Sequence, residues 1–228
     1  MNQTSQPSLI ETMRAQADRQ IPLLPYHLRR LEHSALALGY VYPGRDAIVS
    51  ALSASLEATA PAGIDSRVRL LLNPSGQLSI ETAALPALQG IPFIALARAP
   101  LESAEPLLQH KTTHRPWYDE TTQWLSHHPD FFDLIFLNEK GELCEGSRSN
   151  IYVFKNGEWL TPPLSCGLLG GVRRTQLIET GQVKEAILTP ADLAADQTGK
   201  TPIRLSNALR GWFDVQLSPS VLPGHFLP

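Results

Sequence analysis

Apolar and polar positions along this chain repeat with two different periods, and each change of period marks an element. Residues 8–14 (SLIETMR) alternate every second position and predict a strand. Residues 26–40 switch to the helical period: Leu28, Leu31, Ala35 and Leu38 share one face, and Gly39 stops the run. Residues 45–58 predict a second helix. Residues 68–73, 78–83 and 92–97 read as strands, the first two joined by the turn Asn73-Pro74-Ser75-Gly76. Residues 99–106 (APLESAEP) read as a crossing linker. Beyond it come a short helix around 120–126, a strand over 133–138 and a turn at Asn138-Glu139-Lys140-Gly141. A hairpin of 150–155 and 158–161 follows, closed by Asn156-Gly157. A helix over 172–180 and strands over 183–188, 202–205 and 212–217 complete the pattern. No internal repeat or low-complexity segment interrupts it.

The expected fold is therefore α/β (α+β) in two domains. A small N-terminal α/β domain covers 1–100, a linker 101–106, and a larger strand-rich domain 107–228. A chain of 228 residues, 43% of them apolar, has enough material to bury such cores. The formal net charge of −3 and the isolated basic doublets Arg29-Arg30 and Arg173-Arg174 exclude a nucleic-acid footprint. They leave room for one phosphate or carboxylate. Cys144 and Cys166 have no metal or framework spacing and read as free thiols of a reducing cytoplasm. The polar opening residues lack a basic leader region, and no apolar run reaches a membrane span. His127-His128 has no third ligand at metal spacing, so no metal is expected.

Chemistry concentrates around one lysine. The chain has five, and Lys140, Lys155, Lys184 and Lys200 read as solvated loop or turn residues. Lys111 instead follows the apolar pair Leu107-Leu108. A loop lysine is ordinarily exposed, but burial beside apolar groups lowers an amine's pKa and suits it to Schiff-base chemistry. Glu145 lies at a strand end before the polar run Gly-Ser-Arg-Ser-Asn, where a carboxylate can keep a pyridine nitrogen protonated. Gly170-Gly171-Val172-Arg173 opens a helix whose free N–H groups and dipole favour phosphate. Arg30 shares a helical face with His27, and Ser206-Asn207-Ala208 sits between two strands, where backbone N–H groups can cap a phosphate. A lysine, an acid and a glycine-basic loop are the parts that hold pyridoxal 5'-phosphate (PLP).

The ordered set His27-x-x-Arg30-Leu31, Lys111-Thr-Thr-His114-Arg115, Glu145-Gly-x-x-x-Asn150, Leu169-x-Gly171-Val172-x-Arg174 and Ser206-Asn207-Ala208-Leu209-Arg210-Gly211 resembles the class IV aminotransferase family of fold-type IV PLP enzymes. The resemblance runs from about Leu9 to Leu217. It implies two α/β domains with the cofactor between them, usually in a homodimer. Carried over by position, it makes Lys111 the Schiff-base lysine and Glu145 the partner of the ring nitrogen. It gives Arg30 a side-chain contact to the phosphate, Val172 and Arg173 backbone contacts, and Asn207 and Ala208 the rest of the phosphate cradle.

Within the family, the Thr112–Arg115 segment and the Asn207-Ala208 pair look like 4-amino-4-deoxychorismate lyase, as in the domain fused to para-aminobenzoate synthase component I. That resemblance implies production of 4-aminobenzoate and pyruvate for folate synthesis, with a synthase subunit as a candidate partner. The substrate is dianionic, and Arg14, Arg115, Arg148 and Arg210 are the candidates for its carboxylates. Only eight residues precede Leu9, where the family has a longer lead-in, so part of the substrate pocket wall or the dimer contact is expected to differ. Two alternatives stand beside the lyase: an aminotransferase of branched-chain or D-amino acids, and a non-catalytic partner of a synthase subunit.

Overall fold

A computed structural model describes residues 6–193 and 201–218. The described residues divide into two compact units, one of 6–88 with 110–114, the other of 89–109 with 115–193 and 201–218.

The first unit is an antiparallel sheet of β1 (Leu9–Ala15), β2 (Ser66–Leu72) and β3 (Leu78–Ala84), in that order. Leu9 lies opposite Leu72, and Ser66 opposite Ala84. The alternation seen in the sequence is the alternation of the pleat. Leu9, Met13, Val68, Leu70 and Leu72 are buried on one face. Helix α1 (Leu24–Ala37) packs on β1, and α2 (Arg45–Thr59) packs on β3. Leu28, Leu31 and Ala35 from α1 meet Ile48, Leu52 and Leu56 from α2 in one core. The β2–β3 turn is held by Asn73, whose Oδ1 accepts the Gln77 N–H at 2.8 Å. Gly76 in that turn has φ +86°, and a Cβ there would lie 2.9 Å from Val41 Cγ1.

Residues 110–114 belong to this unit because they pair with the outer edge of β1. Ile10 N–H donates to Lys111 O at 2.8 Å, Thr113 N–H donates to Ser8 O at 2.8 Å, and Leu9 bridges Thr112. This corrects the expected boundaries, which gave Lys111 to a domain of 107–228. The supposed linker 101–106 is also part of a packed unit, the second. Leu101 is buried and its N–H donates to Leu137 O at 2.8 Å, while Ser103 N–H and Oγ–H donate to the Glu139 carboxylate at 2.8 and 2.7 Å.

The second unit carries β4 (Phe93–Leu96), β5 (Phe131–Leu137), β6 (Leu143–Gly146), β7 (Asn150–Lys155), β8 (Glu158–Thr161), β9 (Lys184–Glu185), β10 (Ile203–Asn207) and β11 (Gly211–Leu217). Their order is β10-β11-β4-β5-β6-β7-β8-β9, and β10 also pairs with β7, which closes the sheet on itself. Helix α3 (Asp119–His127) packs on β5 and α4 (Val172–Glu179) on β10. Tyr152, Leu177 and Val183 form a buried cluster against Trp159, Ile178 and Trp212. Cys144 and Cys166 are buried and free. Among the described residues no helix is long and apolar enough to cross a membrane.

Candidate active site

Lys111 differs physically from the other described lysines. Its side chain is half-buried, whereas Lys140, Lys155 and Lys184 are exposed and face Glu139, Asp192 and Glu158. Lys200 lies outside the described residues. The backbone of Lys111 is fixed by Ile10, and that of its neighbour Thr112 by β1 pairing. His110 beside it donates or accepts at Ser34 Oγ over 2.9 Å and stacks with His33. Lys111 also makes itself felt electrostatically at His27, a residue of α1 with 1% exposure.

Arg30 and His27 converge on an acid that the sequence reading passed over. Glu11 sits on the core face of β1 between Leu9 and Met13, 2% exposed. Its Oε1 accepts from Arg30 Nε at 2.8 Å, and its Oε2 accepts from Arg30 Nη2 at 2.5 Å. His27 Nδ1 lies 2.6 Å from the same Oε2. Burial alone would raise the Glu11 carboxyl. The Arg30 charge and the hydrogen bonds from His27 and Arg30 outweigh it and hold the group at about 2. Burial pushes His27 down, against the pull of the Glu11 carboxylate. Its Nε2 is buried without a hydrogen-bond partner.

In the second unit Glu145 is the penultimate residue of β6 and pairs with Asn150 at the start of β7. Its carboxylate is 3% exposed and draws in donors from three directions. Tyr118 O–H donates to Oε1 at 2.8 Å, Leu169 N–H to Oε1 at 3.0 Å, and Asn150 Nδ2 to Oε2 at 3.2 Å. The Arg115 guanidinium stands 4.3 Å from the Tyr118 ring centre, and its Nη1 donates to Ser147 O at 3.1 Å.

The turn between β6 and β7 is wrapped around Asp133 of β5, a second buried acid that the sequence reading missed. Asp133 Oδ1 accepts from Ser147 N–H at 2.9 Å and Ser147 Oγ–H at 2.7 Å, and Oδ2 accepts from Arg148 N–H at 3.0 Å and Ser149 Oγ–H at 2.6 Å. Gly146 is required by this packing, because a Cβ there would lie 2.2 Å from Asp133 Oδ2. Burial raises the Asp133 carboxyl, and the serine hydrogen bonds oppose that rise. A carboxylate inside the apolar run Phe131-Phe132-Asp133-Leu134-Ile135-Phe136 was the available signal.

Gly170 and Gly171 precede α4 as expected. The first bond of that helix runs from Thr175 N–H to Gly171 O, so Val172 and Arg173 present first-turn N–H groups with no partner inside the helix. A Cβ on Gly171 would lie 2.0 Å from Asn150 Oδ1. Asn207 closes β10, and its Oδ1 accepts the N–H groups of Leu209 and Arg210 at 3.1 and 2.8 Å, which shapes the hairpin tip holding Ala208. Ser206 Oγ is engaged with Tyr152 O–H at 2.7 Å. Thus Glu145, Val172, Arg173, Asn207 and Ala208 belong to the second unit, and Lys111, Arg30, His27 and Glu11 to the first.

The model of the amino-transferase class IV family matches residues 8–217. The chain belongs to this family. A Schizosaccharomyces pombe protein named "Putative aminodeoxychorismate lyase" is 31% identical over 171 residues, 74% of this chain and 72% of that one. The crystal structure of a "Putative amino-acid aminotransferase" from Mesorhizobium loti shares 32% identity with a TM-score of 0.82, over 93% of this chain and all of that chain. A Mycobacterium tuberculosis "hypothetical aminotransferase", solved in its PLP-bound form, superposes with a TM-score of 0.74 at 22% identity, over 95% of this chain and 83% of that one. Class IV amino-transferases are α/β enzymes that use PLP.

The residues of this class IV chain fit that cofactor by their chemistry. In the first unit the half-buried Lys111 carries the amine that an aldehyde would need. Glu145 offers a buried acid held by neutral donors for the ring nitrogen. The first turn of α4, with no side chain at Gly171, offers N–H groups for the phosphate.

Proposed function

We propose that this class IV enzyme is a 4-amino-4-deoxychorismate lyase, releasing 4-aminobenzoate and pyruvate. The observation that carries the PLP chemistry in this reading is the Glu145 carboxylate, buried and fixed by Tyr118, Asn150 and Leu169; the choice of lyase rests on the Thr112–Arg115 and Asn207-Ala208 resemblance. A carboxylate fixed this way is the kind of partner that a protonated ring nitrogen needs. PLP, when bound, supplies the electron sink for the carbanion formed at the amine-bearing carbon of the substrate.

Lys111 would hold the cofactor through Nζ, and the same amine, once free, would take the proton from the amine-bearing carbon of the substrate and serve as the acid afterwards. Arg30 of the first unit, and the first-turn N–H groups of Val172 and Arg173 and the Asn207-Ala208 tip of the second, would be the groups to hold the phosphate. The bond between the ring carbon and the ether oxygen would break, and the enolpyruvate released would take a proton at its methylene carbon to become pyruvate. Loss of the ether together with the proton of the amine-bearing ring carbon would complete the aromatic product and drive the step forward.

For the substrate carboxylates, Arg115 is taken over Arg14 and Arg148. Arg14 is paired with Asp65, and Arg148 is turned onto the Phe132 carbonyl and ring. Arg115 stands over the Tyr118 ring, whose hydroxyl bonds Glu145.

The Schizosaccharomyces pombe relative favours the lyase, and the Mesorhizobium loti relative favours an aminotransferase as second reading. The buried free thiols suit a reducing cytoplasm. A homodimer, alone or with a para-aminobenzoate synthase subunit, is part of the proposal. The test is release of 4-aminobenzoate from substrate generated in place, with no 2-oxo acid added.

A further inference from the structure

Glu11 is a charged group that the proposed chemistry leaves without a task. Its position on β1 faces the core, where the pattern of Leu9 and Met13 calls for an apolar side chain. A carboxylate there must be desolvated, and well-packed hydrocarbon in place of a buried ion pair is often as stable or more so. Stability alone therefore does not account for it.

The geometry does. Glu11 receives Nε and Nη2 of one guanidinium on its two oxygens, at 2.8 and 2.5 Å. Such a two-point contact fixes the plane of the guanidinium and the direction of its remaining edge. His27, one helical turn before Arg30, closes on Glu11 Oε2 at 2.6 Å and keeps the carboxylate from turning. The charged groups acting on this cluster come from three elements: Glu11 of β1, Arg30 of α1 and Lys111 of the 110–114 segment.

We infer that Glu11 is a positioning residue, which sets the orientation of the Arg30 guanidinium for the phosphate of the cofactor and acts through Arg30. The inference rests on the phosphate role proposed for Arg30. Glu11 itself touches Arg30 and His27, so its effect on binding must vanish when Arg30 is gone.

The test uses the full chain stripped of cofactor. The probes are 4-deoxypyridoxine 5-phosphate, which lacks the aldehyde and cannot bond to Lys111, and 4-deoxypyridoxine without phosphate, both titrated by calorimetry. Glu11→Gln should weaken the phosphorylated probe tenfold or more, with unchanged circular dichroism and no change toward the unphosphorylated probe. Arg30→Ala should weaken it at least as much, and adding Glu11→Gln to Arg30→Ala should change it less than twofold. Arg30→Lys keeps the charge, loses the two-point contact and should lose tenfold as well. It carries the test if Glu11→Gln does not fold. Native affinity in folded Glu11→Gln or in Arg30→Lys overturns the inference, as do losses that multiply in the double variant or fall equally on both probes. Failure of the unsubstituted protein to bind the phosphorylated probe overturns the cofactor reading itself, and this inference with it.

Discussion

The Tyr118 hydroxyl donates to Glu145 Oε1 at 2.8 Å, so a phenol buried to 3% exposure helps to hold the acid proposed for the ring nitrogen. Burial, followed by the Glu145 charge, raises the phenol well above its ordinary range, so it remains a donor at any working pH. Tyr118→Phe removes that donor and leaves a buried carboxylate oxygen short of a partner. The cost to stability should be about 1–3 kcal/mol. Turnover should fall about tenfold, about 1.4 kcal/mol of barrier, with cofactor still bound. Thermal melts and kcat measured on the same preparation check both. Unchanged turnover would show that the hydroxyl has no part in holding Glu145.

Gly170 and Gly171 stand side by side in the sequence, yet they should respond oppositely to alanine. A Cβ on Gly170 meets Leu164 Cδ2 at an ordinary 3.7 Å. On Gly171 it overlaps Asn150 Oδ1 at 2.0 Å and must displace the amide that donates to Glu145 and to Leu169 O. Gly170→Ala should stay within about 0.5 kcal/mol of the native protein. Gly171→Ala should lose about 1–3 kcal/mol and cofactor affinity as well. Urea melts and cofactor titration of the two variants distinguish them.

Much of the fold was legible because local chemistry and the final pairing agree. The 150–155 and 158–161 hairpin forms where it was read, with Asn156 and Gly157 both at positive φ in its turn. The strand read over 183–188 shrinks to Lys184–Glu185, because it pairs only with Leu160 and Thr161, where β8 ends. Val183 and Leu188 are buried all the same, so their apolar character reports burial and not a ladder. Glu145 does lie near the end of a strand, β6, whose bounds at Leu143–Gly146 the local pattern did not give. Glu11 and Asp133 escaped notice for one physical reason. Each is a single carboxylate inside an apolar pattern, and its meaning depends on partners 14 to 19 residues away in the chain. The placement of 110–114 on β1 likewise depends on backbone pairing across a hundred residues, which no local pattern encodes.

The Glu11 cluster predicts a particular acid response. The folded pKa of Glu11 is depressed to about 2 from 4.5, so its contribution is fully present above 4.5 and is lost as pH falls toward 2. His27 is also depressed, from 6.5, so the folded state binds its proton less readily than the unfolded chain, and stability declines below that pH too. Glu11→Gln should be less stable than the native protein by about 3 kcal/mol at pH 7. The gap between the two should close between pH 4.5 and 2. Urea melts across this range test it, and a gap independent of pH would place the loss in packing instead of charge.

Lys111 should be the labelled lysine. Among the described lysines it is half-buried where the others are exposed. Borohydride reduction of the cofactor-loaded protein should fix the cofactor to the peptide containing Lys111. Lys111→Ala should abolish both the lysine-linked cofactor absorbance and turnover. Mass spectrometry of the reduced protein decides, since a label on Lys140, Lys155, Lys184 or Lys200 removes the assignment.

Reaction type separates the two relatives that this chain resembles to nearly the same degree, one named a lyase and one an aminotransferase. A lyase returns the cofactor to its aldehyde form in every cycle and needs no amino acceptor, whereas an aminotransferase stops after one half-reaction unless a 2-oxo acid is present. With aminodeoxychorismate and no added 2-oxo acid, turnover should continue and yield pyruvate and 4-aminobenzoate in equal amounts. Arg115→Ala should raise KM for this dianionic substrate about tenfold or more, the loss of about 1.4 kcal/mol or more of a charge-assisted contact. Its kcat should change less, because Arg115 is assigned to binding and Lys111 to proton transfer. Inertness toward aminodeoxychorismate, together with amino exchange between a branched-chain amino acid and 2-oxoglutarate, would replace the lyase with the aminotransferase and would return Arg115 to its bond with the Ser147 carbonyl as a structural residue.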